Sequence, residues 1–206
     1  MTEAPLVLVD GQRAGPSTGQ VTVGGGDVMQ ARWGMHGGMP TIALAPASVQ
    51  ESYDITIRAF NLAEKYRMPV FVMADAATMH LWETLDIAPE VSLYERDKAP
   101  GQPPFGSDQP GGVPPMPAFG DGEHLLVTAS THDEWGFRKT ADPATERVLT
   151  RRLYDKVMLH TDDLVEVERY RLDDAEVAIA AYGFTARAAV AAVDALREEG
   201  VRAGLL

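Results

Sequence analysis

The chain has 206 residues and no cysteine. It can supply no disulfide, no thiolate zinc site and no cysteine-ligated iron–sulfur cluster. Any redox metal must sit on another chain. Basic residues are also scarce: Lys and Arg number 18 against 30 Asp and Glu, for a formal net charge of −12 and a pI near 4.8. That balance argues against nucleic acid, whose phosphates call for a basic face, and against an anionic membrane surface. Long apolar runs are missing too. Nothing approaches the roughly 18–20 residues of a membrane-crossing helix, and no basic-then-apolar leader opens the chain. The expectation is a cytoplasmic protein with neither nucleic acid nor membrane as partner.

What is present is an ordinary globular composition, 45% hydrophobic, long enough for one large domain or two small ones. "PLVLVD" at 5–10 is a short apolar run closed by Asp-Gly, the pattern of a buried strand. "GDVMQARWG" predicts a short helix with Asp27 near its start, and "TIALAP" at 41–46 a second buried strand. In "SVQESYDITIRAFNLAEKYR" Ser48 and Glu51 form a capping box, and Ile55, Ala59, Leu62, Ala63 and Tyr66 recur at helical spacing. Pro69 then opens "PVFVMAD", a third buried strand. Strands alternating with helices predict an α/β fold with a parallel, doubly wound sheet.

The composition changes at 96–122, which holds seven of the 14 prolines and six glycines. Such a stretch cannot hold a regular ladder and reads as a long crossing. "HLLVTAS" at 124–130 is a candidate strand, "THDEWG" a polar turn, and "PATERVLTRRLYDKVMLHTDDL" a second long helix with Pro143 in its first turn. The end, "AEVAIAAYGFTARAAVAAVDALREEGVRAGLL", predicts strand, tight turn, amphipathic helix, Gly200 cap and strand: a βαβ unit opening a second layer. The expected divisions are 1–95, 96–165 and 166–206. Because the chain enters a strand almost at once and stops inside one, a fragment is expected.

"QRAGPSTG" at 12–19 places Arg13 just beyond the first strand, in the crevice where parallel sheets bind ligands. Gly15 and Gly19 permit close approach, while Ser17, Thr18 and Thr22 offer hydroxyls. A guanidinium grips a carboxylate with two parallel hydrogen bonds. The residues alone leave two readings open: a clamp for an acid-bearing small molecule, or an arginine paired to a nearby acid across a turn. The loop lacks the lysine of a phosphate-binding P-loop.

"VDGQRAGPSTGQVT" resembles the Gln-Arg-Gly-Gly-Pro-Ser-Thr-Gly-x-Pro-Thr segment of the α subunit of 2-oxoacid:ferredoxin oxidoreductases. The similarity continues through "GDVMQARWGMHGGMPTIALAPASVQESYD", "AFNLAEKYRMPVFVMAD", "VPPMPAFG", "THDEWGF", "VLTRRLYDKV" and the closing βαβ stretch. "VPPMPAFG" and "THDEWG" resemble the 2-oxoglutarate and branched-chain members most. The resemblance implies the back half of a pyrimidine-binding domain followed by the opening of a transketolase C-terminal-like domain. It implies oxidative decarboxylation of a 2-oxoacid, 2-oxoglutarate favoured, to an acyl-CoA, with electrons passing to ferredoxin. It places thiamine diphosphate with Mg2+ and a [4Fe-4S] cluster mainly on a β subunit, and makes coenzyme A the co-substrate. Arg13 is implied to hold the substrate carboxylate and Thr22 to lie near the substrate's side-chain end; Ser17, Thr18 and Gly19 are the candidate cofactor-binding residues, lining the pocket. The chain departs from the pattern at Ala14, at Val21 and across "VGGG" at 23–26, which bears on substrate choice. The family's Tyr-Pro-Ile-Thr-Pro segment and activating glutamate would precede residue 1, so an α-subunit fragment is expected. The rival expectation is a non-catalytic truncated module that binds a β-type partner.

His36 in "GMHGG" has two readings, a proton shuttle or cofactor contact and a hydrogen-bonded turn histidine. His132, Asp133 and Glu134 lack the spacing of a metal site and read as a packed turn. Asp75, at the crevice end of the third strand, either touches ligand or caps the next turn.

Overall fold

A computed structural model of the chain describes residues 1–36 and 38–206. The apolar run from 5 onward becomes β1, Leu6–Gly15, which extends past the Asp-Gly pair through Arg13. It turns back into β2, Gln20–Val23. A short α1, Val28–Trp33, leads to β3, Ile42–Leu44. The long α2, Val49–Tyr66, follows, with the Ser48 hydroxyl accepting from Glu51 N at 3.1 Å. Its partner Glu51 reaches Ala47 N at 2.8 Å, one residue before the usual capping-box target. Arg67 ends α2 in the left-handed region (φ 46°), β4 spans Pro69–Asp75 and α3 spans Ala76–Met79.

β4 sits between β1 and β3, parallel to both, and β2 adds antiparallel beyond β1, giving the order β2-β1-β4-β3. Val7, Val70 and Ile42 share one register row, and Val9, Val72 and Leu44 the next row on the same face, two residues on. Partners in a row point to one face. There Ala59, Leu62, Ala63 and Tyr66 of α2 bury against Val70, Val72, Ile42 and Leu44, as the helical spacing predicts.

Residues 80–142 contain no named helix or strand. The candidate strand at 124–130 does not form. Instead the Leu126 carbonyl lies so close to Gly136 (φ 88°) that a Cβ there would collide with it, so the segment packs on the 132–138 turn rather than on a strand. The second long helix is also shorter than expected: α4 is Pro143–Met158, and α5, Thr161–Leu164, is separate. The break comes at His160, whose Nδ1 donates to the Lys156 carbonyl at 3.0 Å and whose ring meets Tyr66 edge-on at 5.3 Å. The closing βαβ unit forms as expected, with β5 Val177–Ile179, α6 Gly183–Glu198 and β6 Ala203–Leu205 in parallel register.

A buried ionic knot fixes the Pro/Gly-rich crossing. Lys156 of α4 donates to Glu3 at 2.9 Å and to the Arg67 carbonyl at 3.2 Å, and Arg152 forms a two-pronged ion pair with Glu3. The Arg67 guanidinium donates to the carbonyls of Pro104 (2.6 Å) and Pro114 (2.8 Å). All four side chains are buried. Burial alone would raise the Glu3 carboxyl, but the Lys156 and Arg152 cations outweigh it and hold its pKa down to about 2. Burial pulls Arg67 down to about 10 and lowers Lys156. The sequence carried one unread signal of this knot: Arg152 and Lys156 share a helix face with Leu149, Leu153 and Val157.

Candidate functional site at the carboxyl end of β1

The last parallel pair of the sheet is Gln12 with Asp75. Arg13 is the next residue, so it sits at the crevice end of the sheet. It lies within β1 and pairs with Val23 of β2, rather than in a loop beyond the strand. The loop expected around it is a hairpin. Gly15 pairs with Gln20, and the turn closes with Gly19 N donating to the Pro16 carbonyl at 2.9 Å. Gly19 is required there, since a Cβ would stand 2.8 Å from that carbonyl oxygen. The extra residue of β2 between the two pairs makes a bulge beside Val21 and Thr22. Bulges re-aim side chains next to functional sites. Ser17, Thr18, Gly19 and Thr22 are exposed on this hairpin, and Arg13 is half-buried at its base.

The Arg13 peptide is held from both sides. Its N–H donates to Asp27 Oδ2 at 2.9 Å, and its carbonyl accepts from Gly26 N at 3.2 Å. The nearby acid of the pairing reading is therefore present, but it engages the backbone. Among the described residues the Arg13 guanidinium has neither an ion pair nor a hydrogen bond. The 24–26 loop lies flat on β1: a Cβ on Gly24 would stand 2.8 Å from Ala14 Cα, and one on Gly26 would stand 2.6 Å from the Ala14 oxygen. Burial raises the Asp10 carboxyl above its ordinary range, and the Asp27 charge adds to it. Asp27 thus places negative charge beside Arg13.

His36 is exposed after α1, so the whole length of that helix separates it from the Arg13–Asp27 contact. His132 is buried within a packed turn. Its Nδ1 meets the Asp133 carbonyl at 2.9 Å, its Nε2 the Met1 carbonyl at 3.2 Å, and its ring lies edge-on to Phe105 at 4.5 Å. Asp133 braces this turn through Trp135 N and Phe137 N, both at 3.0 Å. No cluster of three His, Asp or Glu residues suited to a metal occurs among the described residues.

Two residues at this end escaped the sequence reading. Gln12 is fully buried. Its Nε2 donates to the Met73 carbonyl at 3.0 Å, while its Oε1 has no partner among the described residues. Tyr182, from the turn before α6, brings its hydroxyl against Gly25. Gln12 had a signal in its place beside Arg13; Tyr182, 157 residues on from Gly25 in sequence, had none.

Residues 1–152 match the model of the pyruvate flavodoxin/ferredoxin oxidoreductase, thiamine diphosphate-binding family. The chain belongs to this family. Its whole length is similar to 2-oxoglutarate synthase subunit KorA of Methanothermobacter thermautotrophicus, at 46% identity over 56% of that protein. Ketoisovalerate oxidoreductase subunit VorB of the same organism is 34% identical over 99% of this chain and 52% of its own length. Among solved structures, a 2-oxoglutarate:ferredoxin oxidoreductase from Magnetococcus marinus with 2-oxoglutarate, coenzyme A and succinyl-CoA bound superposes with a TM-score of 0.87. That likeness carries 27% identity and covers all of this chain and 37% of the other. The chain thus spans about half the length of the curated relatives it matches.

The residues here fit one end of thiamine diphosphate better than the other. The unpartnered Gln12 oxygen is an acceptor suited to the amino group of a pyrimidine ring. A magnesium–diphosphate end calls for a set of oxygen ligands, and among the described residues no cluster of acids provides it.

Proposed function

We propose that this chain is part of the α subunit of a 2-oxoglutarate:ferredoxin oxidoreductase. The reaction takes 2-oxoglutarate and coenzyme A to succinyl-CoA and carbon dioxide, and passes the released electron pair to ferredoxin. The observation that carries this reading is Arg13. Its peptide is fixed by Asp27 and Gly26, and its guanidinium has no protein partner among the described residues. A forked cation on a fixed backbone at the crevice end of a parallel sheet is suited to a 2-oxoacid carboxylate. The KorA name of relatives at 45–48% identity favours 2-oxoglutarate as that acid.

Thiamine diphosphate, when bound, would supply a nucleophilic carbon for the keto group and a cationic ring that takes up the electron pair released on decarboxylation. The chain's own contribution is orientation and charge. Arg13 holds the substrate carboxylate. Thr22, at the β2 bulge, lies toward the substrate's side-chain end. Ser17, Thr18 and Gly19 close the pocket rim, and the Gln12 oxygen is an acceptor at its floor. Magnesium, the [4Fe-4S] cluster and the ferredoxin contact are assigned to a β subunit, in keeping with a chain that has no cysteine. Among the described residues no helix is long and apolar enough to cross a membrane; the proposed location of the complex is the cytoplasm.

The test is reduction of a low-potential dye by the complex purified with its β partner, supplied with coenzyme A and a panel of 2-oxoglutarate, 2-oxoisovalerate and pyruvate. The expected result is turnover with highest kcat/KM on 2-oxoglutarate. No turnover on any acid, in a complex that forms and holds thiamine diphosphate, would overturn the reading in favour of a non-catalytic module.

A further inference from the structure

The strand that carries Arg13 and the closing βαβ unit meet at one place, the loop of three glycines at 24–26. Each glycine has its own neighbour. A Cβ on Gly24 would run into the Ala14 backbone, one on Gly26 into the Ala14 and Arg13 carbonyl oxygens, and one on Gly25 would stand 2.7 Å from the Tyr182 hydroxyl. The loop is therefore pressed between β1 on one side and Tyr182 on the other.

The backbone that carries Tyr182 is anchored. The next residue, Gly183, has φ 60°, and a Cβ on it would stand 2.9 Å from Asp75 Oδ2. Phe184 N donates to that same oxygen at 2.8 Å. The turn is thus anchored on the last residue of β4, and β4 is hydrogen-bonded along β1 as far as Gln12. From this anchor the Tyr182 side chain reaches the loop whose Gly26 N–H and Asp27 carboxylate grip the Arg13 peptide.

Resting on the carboxylate-clamp reading above, we infer that Tyr182 is a positioning residue for Arg13. It acts through Gly25: the phenol blocks outward movement of the 24–26 loop, and the loop in turn fixes the stretch of backbone from which the Arg13 side chain starts. The second α/β unit thereby sets substrate affinity in the first without touching substrate. The inference also explains the "VGGG" departure from the family pattern, since a side chain at 25 would compete with the phenol for the same space.

The contact gives a reciprocal test. Gly25→Ala sets a methyl against the hydroxyl. Tyr182→Phe removes that oxygen, and the nearest ring atom is then Cζ at 3.8 Å, an ordinary contact. The measurement is steady-state kinetics of the complex with its β partner, for wild type, both single variants and the double variant, with thermal midpoints alongside. Gly25→Ala is expected to raise KM for the 2-oxoacid about fivefold, within the coupling range of contacting residues. Its kcat and its KM for coenzyme A stay near wild type, as for a loss of uniform substrate binding. The double variant returns to the KM of Tyr182→Phe. Single-variant effects that simply add, a 2-oxoacid KM unchanged in Gly25→Ala, or kcat and both KM values moving together would overturn the inference. A wild-type complex inactive on every acid would instead remove the clamp reading, and the inference with it.

Discussion

One carboxylate caps two helices. Asp75 Oδ1 accepts from Thr78 N at 2.8 Å, at the start of α3, while Oδ2 accepts from Phe184 N at 2.8 Å, at the start of α6. The residue closes the central strand and ties the two α/β layers together in the same act. Asp75→Ala removes both acceptors and is expected to lower stability by about 1–3 kcal/mol, the range of one to two lost caps. Asp75→Asn keeps one acceptor oxygen and should cost less. Chemical denaturation of the three proteins checks the order; equal stability of Asp75→Ala and wild type would contradict the double cap.

The Glu3 knot makes the chain acid-sensitive in a defined window. The Glu3 pKa is held at about 2 in the folded state, below its unfolded value of 4.5. A depressed carboxylate contributes stability that is complete above the unfolded pKa and is lost as pH falls from there through the folded pKa. Stability should therefore decline from about pH 4.5 downward. Glu3→Gln should flatten that decline and cost about 3–5 kcal/mol at neutral pH, because Arg152 and Lys156 would stay buried without their anion. Denaturant midpoints measured against pH test both statements. A Glu3→Gln variant as stable as wild type would show that the cations find other partners.

How much of this was legible beforehand depends on how local each feature is. The face of α2 was readable because Ala59, Leu62, Ala63 and Tyr66 follow one helical period. The βαβ close was readable for the same reason. Arg13 was placed at the right end of the sheet but in the wrong element. Glycine and proline at 15, 16 and 19 mark a turn, yet whether flanking residues pair depends on Val23 ten residues on. "HLLVTAS" has strand composition, but a strand exists only if another pairs with it, and here the Leu126 carbonyl packs on Gly136 of the 132–138 turn instead. The Tyr182–Gly25 contact and the Glu3–Lys156 pair span 157 and 153 residues and leave no periodic trace.

The loop beside Arg13 tolerates no Cβ on its β1 side. Gly26→Ala would place a methyl 2.6 Å from the Ala14 oxygen and 3.1 Å from the Arg13 oxygen, both backbone atoms that cannot swing aside. The loop must lift, and the Gly26 N–H bond to Arg13 is the first casualty. The expected cost is about 1–3 kcal/mol in stability, in the range of a strained backbone site, with a raised KM for every 2-oxoacid that turns over. Denaturation and steady-state kinetics on the same preparation check this; wild-type values in both would contradict the close packing.

The central claim is that Arg13 grips the substrate carboxylate. The most direct measurement is kcat/KM for 2-oxoglutarate in the complex with its β partner, comparing wild type with Arg13→Ala and Arg13→Lys. For a carboxylate pair buried under the β partner, losing one partner costs about 2–5 kcal/mol, so Arg13→Ala should lose about 30-fold or more in the complex. Arg13→Lys, which keeps the charge but not the fork, should fall between. Wild-type kcat/KM in Arg13→Ala, with the complex formed and thiamine diphosphate bound, would contradict the account.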